Sequence, residues 1–479
     1  MASSATKPNL EPAIFVIFGI TGDLSRRYLL PALYHLIKEG LLHEQTKIVG
    51  ITRRDVTTKQ LLGDTKLWSN EADGKADEKV LSKMSSMLNM WQMDLTKASD
   101  YEQLKTKLDA IEDKEGICLN RLFYLSIPPQ VYGPIVRLLG ENHLQDGCQH
   151  GRAHSRLLVE KPFGYDLHSA EELIAETGKY FNEEQIFRID HYVAKETVQN
   201  ILTFRSANPL FEAIWDKKYI SHIQVSACEK IDIEGRATFY EEVGALRDFI
   251  QSHLLQLLAI LAMEPAKQMT SEAIHTAKLE LLKAVKPIAG DKVWEDSVRG
   301  QYDGYRQEVK NPDSIRETYA ALKLSIDNDR WKNVPVLIRT GKAMTKRETK
   351  LSIIFRGEGK IADSLRFRIQ PEEGIALHVL AKRPGFDETL QSVTMDFSYE
   401  QAFDDHGHPD AYERVLVDAV RGDHTLFSTS DEVLASWRII ENVAEAWGKS
   451  GKELYPYQKG SDGPEAADEL AETTGCGWL

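Results

Sequence analysis

The sequence predicts two successive architectures: a doubly wound α/β domain at the N-terminus, then a larger α+β domain with a mostly antiparallel sheet. Two observations predict this. Over the first 190 residues short apolar runs alternate with helical stretches, and after about residue 220 the hydrophobic pattern changes to a period of two. Strand–helix alternation implies parallel strands with helices on both faces. Strict alternation implies strands buried on one face only, the habit of antiparallel sheets.

Taken in order, Ala13 to Phe18, Lys47 to Thr52, Arg121 to Ile127, Arg156 to Glu160 and Gln185 to Ile189 are the predicted strands of the first domain. A weaker strand around Trp91 to Leu95 would complete the sheet. Between the first two strands, Leu29, Leu33, Leu36 and Ile37 recur at helical spacing. In the second half Leu322, Leu324 and Ile326 alternate with polar neighbours, as do Leu365, Phe367 and Ile369 against Arg366, Arg368 and Gln370, and Val393, Met395 and Phe397 in their turn. Helices over Asp248 to Met263 and Glu432 to Trp447 are expected to cover this sheet, the second through a stripe of Trp437, Ile440, Ala444 and Trp447. The expected domains are residues 1–190 and 191–479.

Composition narrows the function classes. The 479 residues are 42% hydrophobic and 28% charged, enough chain for two or three cores. No stretch approaches the roughly 18 uninterrupted apolar residues of a membrane span; Leu254 to Met263, broken by Gln256, reads as a buried helix. Met1 to Glu11 lacks the basic start and apolar run of a secretory signal and reads as a short tail. Four cysteines (Cys118, Cys148, Cys228 and Cys476) are too few for a disulfide framework, and with no CxxC pair a structural zinc site is not expected. A cytoplasmic location fits. The net charge of −14 disfavours nucleic-acid binding. An anionic metabolite can still bind where positive groups gather locally.

The first strand runs straight into Gly19-Ile20-Thr21-Gly22-Asp23-Leu24. A glycine turn there lets backbone N–H groups approach a pyrophosphate at a helix N-terminus, the habit of a Rossmann-like coenzyme domain. The full GxGxxG is absent, and glycine pairs are also common in ordinary tight turns. The second strand ends in Arg53-Arg54, with Asp55 only afterwards. An acidic residue at that point would hold the ribose hydroxyls of NAD, whereas two guanidinium groups suit the 2′-phosphate of NADP. A solvated arginine pair is the alternative.

Three further segments carry candidate chemistry. Val159-Glu160-Lys161-Pro162-Phe163-Gly164 ends a predicted parallel strand, at the edge where open α/β sheets bind ligands. In Arg188-Ile189-Asp190-His191-Tyr192-Val193-Ala194-Lys195-Glu196, a helix starting near Asp190 would put His191 and Lys195 on one face. With Tyr192 they would make a donor cluster for a phosphate dianion. Arg247 to His253 opens an otherwise apolar helix; His253 becomes a candidate base only if a carboxylate orients it, and is otherwise a core histidine.

With the GxxGDL turn, the EKPFG, RIDHYxxKE and RDxxQxH runs resemble glucose-6-phosphate dehydrogenase. Further matches are Glu229 followed by Glu234-Gly235-Arg236, then Arg339-Thr340-Gly341-Lys342, Arg368-Ile369-Gln370-Pro371 and Asp410-Ala411-Tyr412-Glu413-Arg414. The resemblance spans about residues 13 to 464. It implies oxidation of glucose 6-phosphate at C1 to 6-phosphogluconolactone, the first oxidative step of the pentose phosphate pathway. NADP is the implied coenzyme, with NAD the alternative, and the implied assembly is a homodimer or homotetramer. His253 would be the general base and Asp190 the carboxylate that orients it. His191, Tyr192 and Lys195 would hold the 6-phosphate. Lys161, Glu229, Asp248 and Lys342 would position the sugar, joined by Lys346 or its neighbour Arg347. Gly19, Thr21, Gly22, Asp23, Leu24, Arg53, Arg54, Lys161 and Pro162 would serve the coenzyme. No metal is required.

Three departures stand out. Where the family usually has a lysine, seven residues after the threonine of the turn, this chain has Tyr28, preceded by Arg26 and Arg27. DHYLGKE appears as DHYVAKE, and Ser252 replaces the usual asparagine beside the proposed base. Asp404 to Asp410 resembles a metal tract on paper but reads as a polar loop, His222 and His378 read as structural, and Asp462 to Glu472 as a solvated stretch. Two competing readings remain: a glucose–fructose oxidoreductase type of sugar dehydrogenase acting on unphosphorylated sugars, and a non-catalytic NADP-binding regulator. The phosphate cluster argues against the first, and the presence of both Asp190 and His253 against the second.

Overall fold

In the computed structural model, residues 10–64, 68, 75–148, 153–357, 363–403 and 409–479 are described. Contacts group the chain into two units, Met1–Gly164 with His168–Ala194 and Pro409–Ser430, and Tyr165–Leu167 with Lys195–His408 and Asp431–Leu479.

The first unit holds strands β1 (Ala13–Phe18), β2 (Lys47–Thr52), β3 (Leu88–Gln92), β4 (Asn120–Leu125), β5 (Ser155–Glu160) and β6 (Ile186–Ile189). They lie in the order β3-β2-β1-β4-β5-β6, all parallel, and the short strand Phe427–Ser428 adds antiparallel to β6. This is the doubly wound order, with the reversal between β1 and β4, where such sheets bind ligands. Strands β1, β4 and β5 are buried at every residue, which is why they read as continuous apolar runs rather than alternating ones. The weak strand forms three residues earlier than expected, over Leu88–Gln92. Leu29, Leu33, Leu36 and Ile37 are buried, as their spacing required. The helix does not begin as a plain α-helix: Ser25–Leu29 is a π-turn that passes into helix Leu30–Lys38.

The second unit is built on β7 (Ile220–Cys228), β8 (Val285–Lys286), β9 (Ser297–Tyr302), β10 (Tyr319–Ile326), β11 (Pro335–Gly341), β12 (Glu348–Phe355), β13 (Ser364–Gln370), β14 (Gly374–Lys382) and β15 (Leu390–Ser398). The order is β15-β14-β13-β12-β7-β11-β10-β9, with Leu454–Tyr457 beyond β9 and β8 paired to β10. Most neighbours are antiparallel; β11 with β7 and Leu454–Tyr457 with β9 are parallel. Segment Leu255–Ala262 is a fully buried helix. Helix Ser430–Lys449 buries Trp437, Ile440 and Trp447, with Val443 rather than Ala444 completing the stripe, and Arg299 of β9 donates to the Trp447 carbonyl at 2.7 Å.

Several expectations are corrected. Val393 and Met395 alternate as a half-buried strand should, but β15 is the edge of its sheet and both are exposed. Periodicity reports a pattern, not the partner that would cover it. The acidic stretch near the C-terminus is no featureless surface: Glu465–Glu472 is a helix that buries Ala467, Leu470 and Ala471. Cys118 and Cys148 are joined as a disulfide with Cα atoms 5.7 Å apart, a single bridge rather than a framework. Residues 404–408 of the suspected metal tract, and Met1 to Asn9 of the tail, lie outside the described residues. Asp410 caps helix Ala411–Arg421 by accepting from the Tyr412 N–H at 2.9 Å. Among the described residues no cluster suited to a metal occurs, and no helix is long and apolar enough to cross a membrane.

Candidate active site

In the first unit the glycine turn sits at the C-terminal end of β1. Gly19 has φ +81°, and a Cβ there would lie 2.2 Å from the Ser126 carbonyl oxygen and 2.8 Å from Ile127 Cγ2. Only glycine fits this turn. Its N–H and that of Ile20 both donate to the Ile51 carbonyl of β2, at 3.0 and 3.2 Å, and the Gly22 N–H closes the turn on the Gly19 carbonyl at 2.8 Å. Ser25 donates to Ser126 Oγ at 2.9 Å, pinning the start of the helix to the end of β4. Thr21 and Thr52 hydroxyls are 3.2 Å apart, and Thr52 Oγ1 accepts from the Arg54 N–H at 3.1 Å. The turn is thereby tied to the end of β2, where Arg53 and Arg54 are exposed. A turn closed to side chains at this end of a parallel sheet fits the close approach of a dinucleotide pyrophosphate.

Strand β5 ends in Glu160, which is fully buried. Tyr124 donates to its carboxylate at 2.5 Å, and Tyr132 to its backbone carbonyl at 3.2 Å. Burial pushes the Glu160 carboxyl up to about 7, against the opposing hydrogen bond from Tyr124 and the charge of Lys161. Lys161 and Pro162 follow at the sheet edge, and Gly164 (φ +85°) turns where a Cβ would lie 2.5 Å from the Ala170 nitrogen.

Beyond β6, Asp190 is 3% exposed, and its Oδ1 accepts from the Tyr192 N–H at 2.9 Å. The helix expected to start here does not. Residues 191–195 form turns and the helix begins at Glu196, with Lys195 at its N-cap. The helical face argued for His191 and Lys195 is therefore wrong, because the Asp190 side chain and backbone carbonyl (which accepts from the Val193 N–H at 3.1 Å) hold a turn instead. His191 lies in the first unit, its ring 5.0 Å from that of Tyr192.

The second unit carries the remaining candidates. Lys195 donates to Gln370 Oε1 at 2.5 Å, and Gln370 donates on to Thr349 at 3.0 Å. Lys342, 2% exposed, forms an ion pair with Glu229, its ammonium 5.4 Å from the Phe249 ring and 5.7 Å from that of Tyr240. Backbone bonds fix the pair: the Glu229 N–H donates to the Gly341 carbonyl, and the Glu229 carbonyl accepts from Met344, both at 2.9 Å. Lys346 and Arg347 are exposed.

Asp248 and His253 lie on a π-helix, Leu246–Leu254, which no periodicity announced. In an α-helix residues five apart diverge by roughly 140°. The wider π-turn, bonded i to i+5, brings them onto one side. Glu317 anchors the start of this helix. Its carboxylate accepts from the Leu246 N–H at 3.1 Å and its carbonyl from the Ala245 N–H at 3.1 Å, after a kink at Gly244 (φ +69°). His253 is 1% exposed and meets the Phe249 ring edge-on at 5.5 Å.

Sequence reasoning assigned no role to Tyr412, Tyr240 or Phe249. Tyr412 was visible only inside a matched run; the other two look like ordinary core aromatics and give no signal.

Comparison with known proteins identifies the family. Residues 16–200 match the family model for the glucose-6-phosphate dehydrogenase NAD binding domain, and residues 202–479 the model for its C-terminal domain. Glucose-6-phosphate 1-dehydrogenase of Chlamydia muridarum is 41% identical, with 99% of this chain and 98% of the relative covered. That of Bacillus subtilis is 39% identical, with 98% and 99% covered. A solved glucose-6-phosphate dehydrogenase in complex with its substrate glucose-6-phosphate superposes with a TM-score of 0.90 at 32% identity, covering 99% of this chain and all of the other.

Proposed function

The chain belongs to the glucose-6-phosphate dehydrogenase family, and from that premise we propose that it oxidises glucose 6-phosphate at C1 to 6-phosphogluconolactone with NADP as coenzyme. The single observation that carries the reading is the full-length likeness to that family, including a substrate-bound structure. The choice of NADP over NAD rests on Arg53 and Arg54, exposed at the end of β2 where an NAD site would present a carboxylate.

When bound, the nicotinamide supplies the hydride acceptor. The chain's own task is to orient the sugar and manage one proton. The imidazole of His253 takes the C1 hydroxyl proton, which suits a group whose ordinary pKa lies near neutrality. The carboxylate of Asp190 stabilises the imidazolium that forms. His191, Tyr192 and Lys195 hold the 6-phosphate, and Lys161, Glu229, Asp248 and Lys342 the sugar hydroxyls, with Lys346 at the periphery. Glu229 also holds the Lys342 ammonium in place. The protein works as a homodimer or homotetramer.

The test is steady-state kinetics with glucose 6-phosphate and free glucose, each with NADP and with NAD, followed at 340 nm. A higher kcat/KM for the phosphorylated sugar with NADP is expected. Equal use of both sugars would favour the oxidoreductase of unphosphorylated sugars, and no absorbance rise with any pair would remove the enzymatic reading.

A further inference from the structure

Tyr28 is a large aromatic side chain left 45% exposed, on the first turn after the glycine loop. Its surroundings are unusual for a surface tyrosine. Its ring is stacked on that of Tyr412, with centroids 5.0 Å apart and planes 15° from parallel. Tyr412 is itself stacked near the ring of His191, at 6.1 Å and again 15°. Three nearly parallel rings, from three distant parts of the sequence, thus belong to one unit and share Tyr412 as their common member.

The segment carrying Tyr412 is firmly fixed. Asp410 caps its helix, Glu413 of that helix meets His35 of the first helix at 2.7 Å, and Arg156 of β5 donates to the Ala419 and Val420 carbonyls at 2.8 and 2.6 Å. The Tyr412 phenol also lies beside the buried Glu160 carboxylate and opposes the rise of its pKa on burial. Tyr412 is therefore held through its helix by hydrogen bonds and on its face by rings. The cations beside Tyr28 are engaged elsewhere, Arg26 with Asp64 and Arg27 with Asp23 at 3.3 Å. What this turn offers toward His191 is a flat ring rather than a charge.

We propose that Tyr28 is a positioning residue for the phosphate end of the sugar, its ring bracing Tyr412 and through it His191. The inference rests on the assignment of His191 to the 6-phosphate made above. A histidine that must aim one ring nitrogen at a phosphate oxygen loses affinity when its plane is free to tilt, and a stack of offset rings resists that tilt. The hydroxyl of Tyr28 plays no part in this, so phenylalanine should serve as well, whereas alanine removes the brace.

Tyr28→Phe and Tyr28→Ala separate these roles. For each, KM and kcat are measured with glucose 6-phosphate and with free glucose, and coenzyme affinity is read from the fluorescence of NADPH titrated without sugar. Y28F should match the parent. Y28A should raise KM for the phosphorylated sugar about three- to tenfold, the worth of an aromatic stack, while KM for free glucose and coenzyme affinity hold. The unchanged coenzyme affinity also reports an intact first unit. Equal effects on both sugars, no effect at all, a Y28F as impaired as Y28A, or a parallel fall in coenzyme affinity would each overturn the proposal. If the parent itself showed no preference for the phosphorylated sugar, the phosphate reading beneath it would fail first.

Discussion

Replacing Gly19 by alanine puts the coenzyme turn to a direct test. Two costs add at this position. A residue with a Cβ at φ +81° pays roughly 1–2 kcal/mol for left-handed backbone. The new methyl would also lie 2.2 Å from the Ser126 carbonyl oxygen, where Cβ contacts essentially never fall below 3.0 Å. That oxygen belongs to backbone, so it cannot swing aside as a flexible side chain would, and forcing the two apart costs about 1–3 kcal/mol more. Moving the turn instead breaks the paired bonds from Gly19 and Ile20 to the Ile51 carbonyl. The sum, roughly 2–5 kcal/mol, corresponds to a loss of about 30-fold or more in coenzyme affinity if the turn shifts. Gly116 supplies the control. It has φ +71° but open space around the position of a Cβ, so Gly116→Ala pays the backbone cost alone. NADPH titration and thermal melts of both variants separate clash from conformation. Should Gly19→Ala bind NADPH within about threefold of the parent and melt no lower than Gly116→Ala, the turn does not govern the coenzyme as argued.

Other expectations follow from the same geometry. His253→Asn should lower kcat by ~10²-fold or more, the usual worth of a general base, with NADPH affinity kept; near-normal turnover would remove His253 from that role. Lys195→Ala should weaken glucose 6-phosphate by roughly 10- to 100-fold, the worth of a charged hydrogen bond, and free glucose far less; equal losses would break the phosphate assignment. His222, buried in β7 with its Nε2 3.2 Å from the Gln224 amide, has its pKa pushed down to about 4 by burial. The folded state thus holds it neutral while the unfolded chain protonates near 6.5, so its contribution is full above that pH and is lost as pH falls toward 4. Urea melts at pH 7 and pH 4.5 should show a stability loss that His222→Asn reduces by up to roughly 3 kcal/mol; an unaltered pH slope would refute it.

Much of the fold was legible because its strands obey two different burial rules. β1 and β5 are covered on both faces and so appear as unbroken apolar runs, and β13 keeps Leu365, Phe367 and Ile369 on its buried side. Where the reading slipped, a local signal met a non-local fact. Val393 and Met395 have the right period, but nothing in their own neighbourhood says that β15 would be an edge. Likewise no pattern within residues 409–430 announces that they rejoin the first unit, since the capping Asp410 and the apolar stripe of that helix would suit a helix packed anywhere.

The candidate site divides along the same line. Gly19, Arg53 and Arg54 could be read because a steric demand and a charge at a strand end are short-range properties. The π-helix holding Asp248 and His253 could not. Its residues, Leu246 to Leu254, are compatible with an ordinary helix, and the groups that accept the N–H bonds at its start belong to Glu317, some seventy positions away. The same holds for the turn after Asp190. A carboxylate followed by His191 and Tyr192 can cap a helix or close a turn, and here it accepts the Tyr192 N–H within a turn, the helix starting only at Glu196. Both features concern the spacing of functional side chains rather than their identity. Residue types declare which chemistry a segment can support; the distance between two such residues depends on backbone choices that remote partners decide.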